Sequence, residues 1–277
     1  MSETIVVDGE WERPEDGLPE PALRELAEAL RLLESPGFLI QVANHVGVPI
    51  EKLMARLPGR ASRIVSGSVD RALRAALDLA VKSLDAGLLR GRSGRWHTLA
   101  ATVSGAVGGA GGLAALAVEL PVTTTIMLRS IAEIAREEGE DLSRLEARLA
   151  CLQVFALGGP TTTDDAADNA YFAIRAGLAD AMRRVAQEGA GRGLTRSLVG
   201  FVGKIAARFE IVVSEKAVAQ AAPLLGAAGG AAVNAVFIRH FQRMARGHFT
   251  VRRLERAWGP EAVRAAARQL AAGRLSA

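Results

Sequence analysis

The sequence is poor in the residues on which small folds and many active sites depend. Its 277 residues include one cysteine, Cys151, four histidines and one tyrosine, and only 4% of them are aromatic. A single cysteine excludes an intramolecular disulfide and cannot by itself form a cysteine metal site, which fits a reducing compartment. Because 49% of the residues are hydrophobic, the core is expected to consist largely of Ala, Leu, Val and Gly side chains.

Strong charge of either sign is also absent. The chain carries 34 basic and 30 acidic residues, a net charge of +4, and this mild field gives no reason to expect nucleic-acid binding. The N-terminus lacks the basic start and apolar run of a secretory signal peptide, which predicts a cytoplasmic protein. Residues 1–20 are acidic and rich in turn formers, so we expect a mobile tail followed by a single domain over residues 21–277.

Recognised catalytic patterns are missing as well. The chain shows no Ser-His-Asp order, no paired acids at a known spacing and no cofactor fingerprint. The glycine-rich segment near residue 108 lacks the G-x-x-x-x-G-K-[ST] of a phosphate-binding loop. The sequence therefore predicts no catalytic residue and no cofactor.

What the chain does contain is an unusual central stretch. Residues 96–128 carry one formal charge, Glu119, and a second uncharged run covers residues 217–238. Each run holds glycines three and four residues apart, which would share one helix face: Gly105, Gly108, Gly109 and Gly112 in the first, and Gly226, Gly229 and Gly230 in the second. Each such glycine costs a helix about 1 kcal/mol relative to Ala, so both faces are predicted to be grooves that pack closely against another helix.

The two glycine segments also resemble each other. Gly226 follows Gly105 by 121 residues, and in that register His240 corresponds to Glu119. An internal pseudo-repeat with two arms packed face to face is the hypothesis that this similarity suggests.

Apolar residues recur at helical spacing along most of the chain, for example at Leu23, Leu26 and Leu30. The predicted fold class is therefore all-α, a multi-helix bundle with two closely packed glycine-rich arms. Pro121 is expected to break or kink its helix. The β-branched run 211–213 allows a bend or a brief extended segment.

Four polar residues stand out in apolar surroundings: Glu119, Arg129, His240 and His248. They are candidates for an internal ligand pocket or for a polar network in the core. A zinc site from Glu119, His240 and His248 is an alternative, but the H-E-x-x-H spacing is missing and no metal is predicted.

The last long helical segment is rich in arginine, at positions 239, 243, 246, 252, 253 and 256. The same segment contains a single acidic residue, Glu255. Its six arginines are Arg239, Arg243, Arg246, Arg252, Arg253 and Arg256. They form either a basic face for anionic lipid or an acidic partner, or a solvated helix whose arginines pair with acids of neighbouring helices.

Three strings carry a resemblance to a known family: GAVGGAGGLAALAVELPVTTTIMLRSIAEIAREEGEDL, CLQVFALGG and VSEKAVAQAAPLLGAAGGAAVNAVFIRHFQRMARGHFTVRRLER. Over residues 66–259 the chain resembles the EcsC protein family of bacteria, which is named for a genetic association with an ABC transporter. The resemblance implies a bacterial, intracellular and mainly helical protein, and it brings no catalytic residues.

Two functions follow as hypotheses. The first is a non-catalytic accessory protein that attaches peripherally to the inner face of the cell membrane or to ABC transporter components. The second is a soluble helical domain with an internal ligand or metal pocket, which would leave room for an uncharacterised enzyme.

Overall fold

The computed structural model describes residues 17–34, 37–46, 61–82, 94–159, 167–187, 192–220 and 226–273. In chain order they form α1 (Glu20–Leu33), α2 (Phe38–Val46), α3 (Ala61–Lys82), α4 (Gly94–Glu137), α5 (Leu145–Leu157), α6 (Ala167–Gln187), α7 (Arg192–Gln220), α8 (Gly226–Trp258) and α9 (Pro260–Ala271). No strand occurs among these residues, and the predicted all-α bundle is confirmed. Residues 1–16 of the predicted tail lie outside the described part, but Leu18 is buried, so the folded domain begins at or before Leu18.

The two longest helices, α4 and α8, form the most extensive helix pair of the described structure. Helices α1, α2 and α9 pack on α8, while α3 packs on α4 and α7. Both glycine segments are helical, as the sequence predicts, and Gly230 is buried. The surroundings of Gly105, Gly108, Gly109, Gly112, Gly226 and Gly229 lie outside the described part, so groove packing and the pseudo-repeat stay predictions.

Helix α5 occupies the middle of the bundle and contacts α3, α4, α6, α7 and α8. Its residues 149–157 are buried on every side, which is the pattern of a helix enclosed by other helices. Its C-terminal carbonyl groups are satisfied by other elements, because Arg208 Nε donates to Ala156 O at 2.8 Å and His240 Nε2 donates to Gly158 O at 2.8 Å.

The centre of the core is aromatic, which the composition did not lead us to expect. Seven of the eight phenylalanines are fully buried. Phe155 of α5 lies 5.1 Å from Phe209 and 5.5 Å from Phe241 between ring centroids, and Phe241 lies 5.2 Å from Phe237. A few large rings fill much volume at helix crossings, so a low aromatic content does not make the centre aliphatic.

The break considered at Pro121 and the bend considered at residues 211–213 do not occur, while a kink at Pro121 stays a prediction. Helix α4 is continuous through Pro121, because Leu116 and Leu120 before it and Leu128 after it are buried in the same core. This burial on both sides outweighs one lost backbone hydrogen bond. The run 211–213 lies inside α7 rather than in a bend, since Val212 and Val213 face the core from helical positions.

The turn between α4 and α5 is tight and polar. Gly139 adopts a φ of +78°, which glycine tolerates without strain, just after the end of α4 at Glu137. Asp141 accepts a hydrogen bond from the Ser143 backbone N–H at 3.0 Å, but the N-cap of α5 is Arg144, which makes no capping side-chain bond. No described helix has the length and apolarity that crossing a membrane requires.

Helix α1 crosses α8 at Gly247, where a Cβ would lie 2.7 Å from the carbonyl oxygen of Ala29 and 2.7 Å from Leu33 Cγ. We therefore expect Gly247→Ala to lower the free energy of unfolding by about 1–3 kcal/mol, since α1 must move away. Urea denaturation measures this change. The control is Gly203→Ala in α7, where a Cβ meets nothing within 4 Å, and which should gain about 0.5–1 kcal/mol. Equal gains in both variants would contradict the close approach.

Candidate functional site: buried polar networks and an arginine-lined pocket

An ion pair lies in the core where α4, α7 and α8 meet. Lys216 Nζ donates to Glu119 Oε1 at 2.7 Å and to Asn234 Oδ1 at 2.8 Å, and Gln220 Nε2 donates to Glu119 Oε2 at 3.0 Å. The side chains of Lys216 and Glu119 are 0% and 3% exposed. The ammonium group also lies 4.6 Å from the centroid of the Phe237 ring.

Burial lowers the pKa of Lys216 below its ordinary value, although the carboxylate of Glu119 opposes this change. Each charge is costly away from water and is tolerated because the other charge and the two amides satisfy it. Every member of this network belongs to the chain itself, and the network joins helices α4, α7 and α8.

His240 belongs to a second network, between α5, α2 and α8. Its Nε2–H donates to Gly158 O, and its Nδ1 accepts from Gln41 Nε2 at 3.0 Å. Burial lowers the pKa of His240 to about 4, with the Gly158 carbonyl opposing the change. The ring is therefore neutral at physiological pH, and both of its nitrogens are occupied.

His248 lies in a third network, between α6 and α8. Arg175 forms a bidentate ion pair with Glu255, in which Nη1 donates to Oε1 at 2.8 Å and Nη2 donates to Oε2 at 2.7 Å. Its Nη1 also donates to the Tyr171 hydroxyl at 3.2 Å. That hydroxyl lies 3.0 Å from His248 Nδ1. Burial and then the nearby Arg175 lower the pKa of His248 well below its ordinary value, so this ring is neutral too.

The four polar candidates from the sequence therefore do not share one cavity. Glu119, His240 and His248 are buried in separate networks, and Arg129 is partly exposed on α4. Within the described ranges no three His, Cys, Asp or Glu side chains are grouped to hold a metal ion. The zinc site considered for Glu119, His240 and His248 is thus wrong, because helix packing directs each side chain to a different neighbour.

The arginine-rich arm divides into two halves. In the C-terminal half, Arg252 binds Glu140 at 2.7 Å, Arg253 binds Glu138 and Glu25, and Arg256 also binds Glu140. Burial alone would raise the pKa of Glu140, but Arg252 and Arg256 lower it below its ordinary value. These three arginines join α8 to the turn before α5 through ion pairs. This agrees with the second interpretation of the arm, in which its arginines pair with acids of neighbouring elements.

In the N-terminal half, Arg239 and Arg246 are exposed and Arg243 is partly buried beside Gln41. Burial, and then the like charge of Arg239, lower the pKa of Arg243. Arg246 makes no ion pair with any described residue. Arg239 and Arg246 therefore present basic side chains at the surface, as Arg256 of the C-terminal half also does.

A cavity of about 750 Å³ lies between α5, α6, α9 and the C-terminal part of α8. Apolar side chains and arginines line it together: Arg144, Leu145, Glu146, Leu149, Gln153, Phe172, Arg175, Ala176, Ala179, Met182, Arg183, Val185, Arg252 and Arg264. Its volume falls within the range of about 300–1,000 Å³ that is usual for small-molecule sites.

The polar lining has an inner and an outer group. The inner group is Gln153, Arg175 and Arg252, with side chains largely enclosed by protein; Arg175 and Arg252 are 16% and 17% exposed. The outer group is Arg144, Arg183 and Arg264, whose exposures are 70%, 70% and 45%. The described lining thus holds five arginines and one carboxylate, Glu146. Each arginine is paired with a carboxylate at or beside the lining.

Sequence reasoning missed Lys216, Gln153 and Arg175. Two of them had a signal: Lys216 follows Val212 and Val213 at helical spacing, on the apolar face of its helix, and Gln153 interrupts an apolar run on α5. Arg175 had none, since arginines are common on amphipathic helices. Cys151 is a buried core residue, and burial raises the pKa of its thiol to about 12.

Fold and cavity together define an all-α bundle protein with a pocket of ligand size. The chain belongs to the EcsC protein family, whose sequence profile matches residues 21–254. The resemblance found in the sequence is therefore confirmed. No curated protein and no solved structure matches the chain.

Replacing one member of the buried ion pair should be costly. Glu119→Gln leaves the ammonium group of Lys216 without its counter-charge, and we expect the free energy of unfolding to fall by about 3–5 kcal/mol. The double variant Glu119→Gln/Lys216→Met contains no buried charge and should recover most of this loss. Urea denaturation of both variants measures it, and a double variant no more stable than Glu119→Gln would show that charge is not the cause.

Proposed function

We propose that this protein is a non-catalytic binding protein whose pocket between α5, α6, α8 and α9 holds a small anionic ligand with an apolar part. The single observation that supports the proposal is the composition of the cavity, in which five arginines and one glutamate meet an apolar wall. Guanidinium groups recognise carboxylates and phosphates through charge-assisted hydrogen bonds.

The outer arginines are available for such a ligand at little cost. Arg183 pairs with Asp180 and Arg264 with Glu261, three residues away on the same exposed helix surface. Exposed pairs of this kind contribute only about 0–1 kcal/mol. Their guanidinium groups can therefore turn toward a bound anion while the fold keeps its stability.

The lining also explains why no reaction is assigned. Arginine stays protonated in proteins and does not exchange protons during catalysis. Glu146 is the one carboxylate of the lining and is largely exposed beside Arg144. His240 and His248 are absent from the lining, so the pocket offers binding groups rather than an acid–base pair.

Blocking the cavity tests this function. We expect Ala179→Trp, on the pocket wall, to weaken binding of the anionic fluorophore 1-anilinonaphthalene-8-sulfonate at least tenfold, because the indole occupies the cavity. The matched control is Ala173→Trp, on the exposed side of the same helix α6, which should bind like the unaltered protein. Fluorescence titration gives both affinities, with circular dichroism confirming equal folding. Equal affinities in the two variants would exclude the pocket as the binding site.

The exposed half of the arginine arm favours a second function, peripheral attachment to an anionic surface. Arg239 and Arg246 lie seven residues apart on α8, on one exposed face, and Arg243 lies between them. Basic residues near anionic lipid contribute about 1 kcal/mol each. The surface would be the inner face of the cell membrane, and an acidic face on an ABC transporter component would offer the same charge.

Vesicle sedimentation tests this attachment. Arg239→Gln/Arg246→Gln should weaken binding to phosphatidylglycerol vesicles by about 2 kcal/mol, or more than tenfold, and added salt should weaken the unaltered protein likewise. The control Arg71→Gln/Arg74→Gln removes the same charge from exposed positions on α3 and should bind normally. Equal losses in both double variants would mean that only net charge matters and would contradict a defined face.

A further inference from the structure

Gln153 presents a polar side chain to the cavity. The residue is 3% exposed on α5, it lines the cavity, and its amide makes no hydrogen bond with any described residue. The amide is not among the described side-chain atoms that are fully buried without a partner, so its oxygen and nitrogen are accessible from the cavity. An amide carries both donors and acceptors, and this one can therefore hydrogen-bond a molecule held in the cavity.

Arg252 offers a second donor in the same wall. Its Nε and Nη2 bind the two oxygens of Glu140 at 2.7 and 3.1 Å, which leaves Nη1 without a hydrogen bond among the described residues. Glu140 and Glu255 already balance the charges of Arg252 and Arg175. The inner end of the pocket therefore offers hydrogen-bond donors without uncompensated positive charge, which suits a small head with no more than one negative charge.

The rest of the wall is apolar. Leu149 of α5 and Phe172, Met182 and Val185 of α6 line the same cavity. A volume of about 750 Å³ is far larger than an inorganic anion requires. An apolar chain attached to the anionic head would cover these side chains and exclude water from them.

Given the anion-binding function proposed above, we infer that the ligand is a single-chain amphiphile with a carboxylate head, of the fatty-acid class. The head accepts hydrogen bonds from the amide of Gln153 and from Arg252 Nη1. The chain lies along Leu149, Phe172 and Met182. A small head is required because Gln153 is almost wholly enclosed, and Gln153 thus determines specificity for the head group.

The test compares laurate, dodecanol and inorganic phosphate by isothermal titration calorimetry on the unaltered protein and on Gln153→Leu and Gln153→Glu. Laurate should bind the unaltered protein, whereas dodecanol and phosphate should each bind at least tenfold more weakly. Gln153→Leu should weaken laurate at least tenfold because the donor is lost, and Gln153→Glu should do so by repelling the carboxylate.

A stability measurement separates binding from a structural role. Because Gln153→Leu removes an amide that bonds no described residue and keeps a similar volume, its melting temperature without ligand should equal or exceed that of the unaltered protein. A lower melting temperature with unchanged laurate affinity would overturn the role of Gln153. Dodecanol binding as tightly as laurate would overturn the anionic head.

The outcomes also distinguish this inference from the broader function. Phosphate or the sulfonate fluorophore binding in the pocket, without laurate, would overturn the fatty-acid ligand and leave an anion-binding pocket in place. Failure of all of these probes to bind would overturn both.

Discussion

A lysine and a glutamate that are both removed from water are tolerated only as a pair, and this constraint acts on three helices at once. Lys216 on α7 and Glu119 on α4 meet directly, and Asn234 on α8 completes the set of partners. The pair fixes the lengthwise register of these helices, because a shift by one turn would separate two buried charges. The continuity of α4 through Pro121 and of α7 through its β-branched run follows from this anchoring and from the core on both sides.

Ion pairs from the arginines of α8 also hold the turn before α5 in position. Arg252 and Arg256 meet on Glu140, and Arg253 holds Glu138. They set where α5 begins, and the contacts of Arg208 and His240 with its last carbonyl groups set where it ends. Helix α5, which forms one wall of the cavity, is thus held by contacts near both of its ends.

Polar groups of the core and of the cavity differ in how accessible they are. In the core, Lys216 and Glu119 satisfy each other, whereas His248 Nε2 and two threonine hydroxyls are fully buried without a hydrogen-bond partner among the described residues. In the cavity, the amide of Gln153 and Nη1 of Arg252 also bond no described residue, but they belong to the cavity lining. A molecule held in a space of ligand size can therefore reach the cavity groups and not those of the core.

The sequence by itself determined the all-α class, most helix positions and the family, since these depend on local periodicity and on long characteristic strings. It also marked Glu119, His240 and His248 as unusual, because charge and imidazole are rare in apolar runs. Only the tertiary structure decided that they lie in three separate networks, that Arg252 lines a pocket, and that Gln153 does so without bonding any described residue. The physical reason is that hydrogen bonds and cavities join residues distant in sequence, such as Gln153 and Arg252, whose proximity depends on how the helices pack.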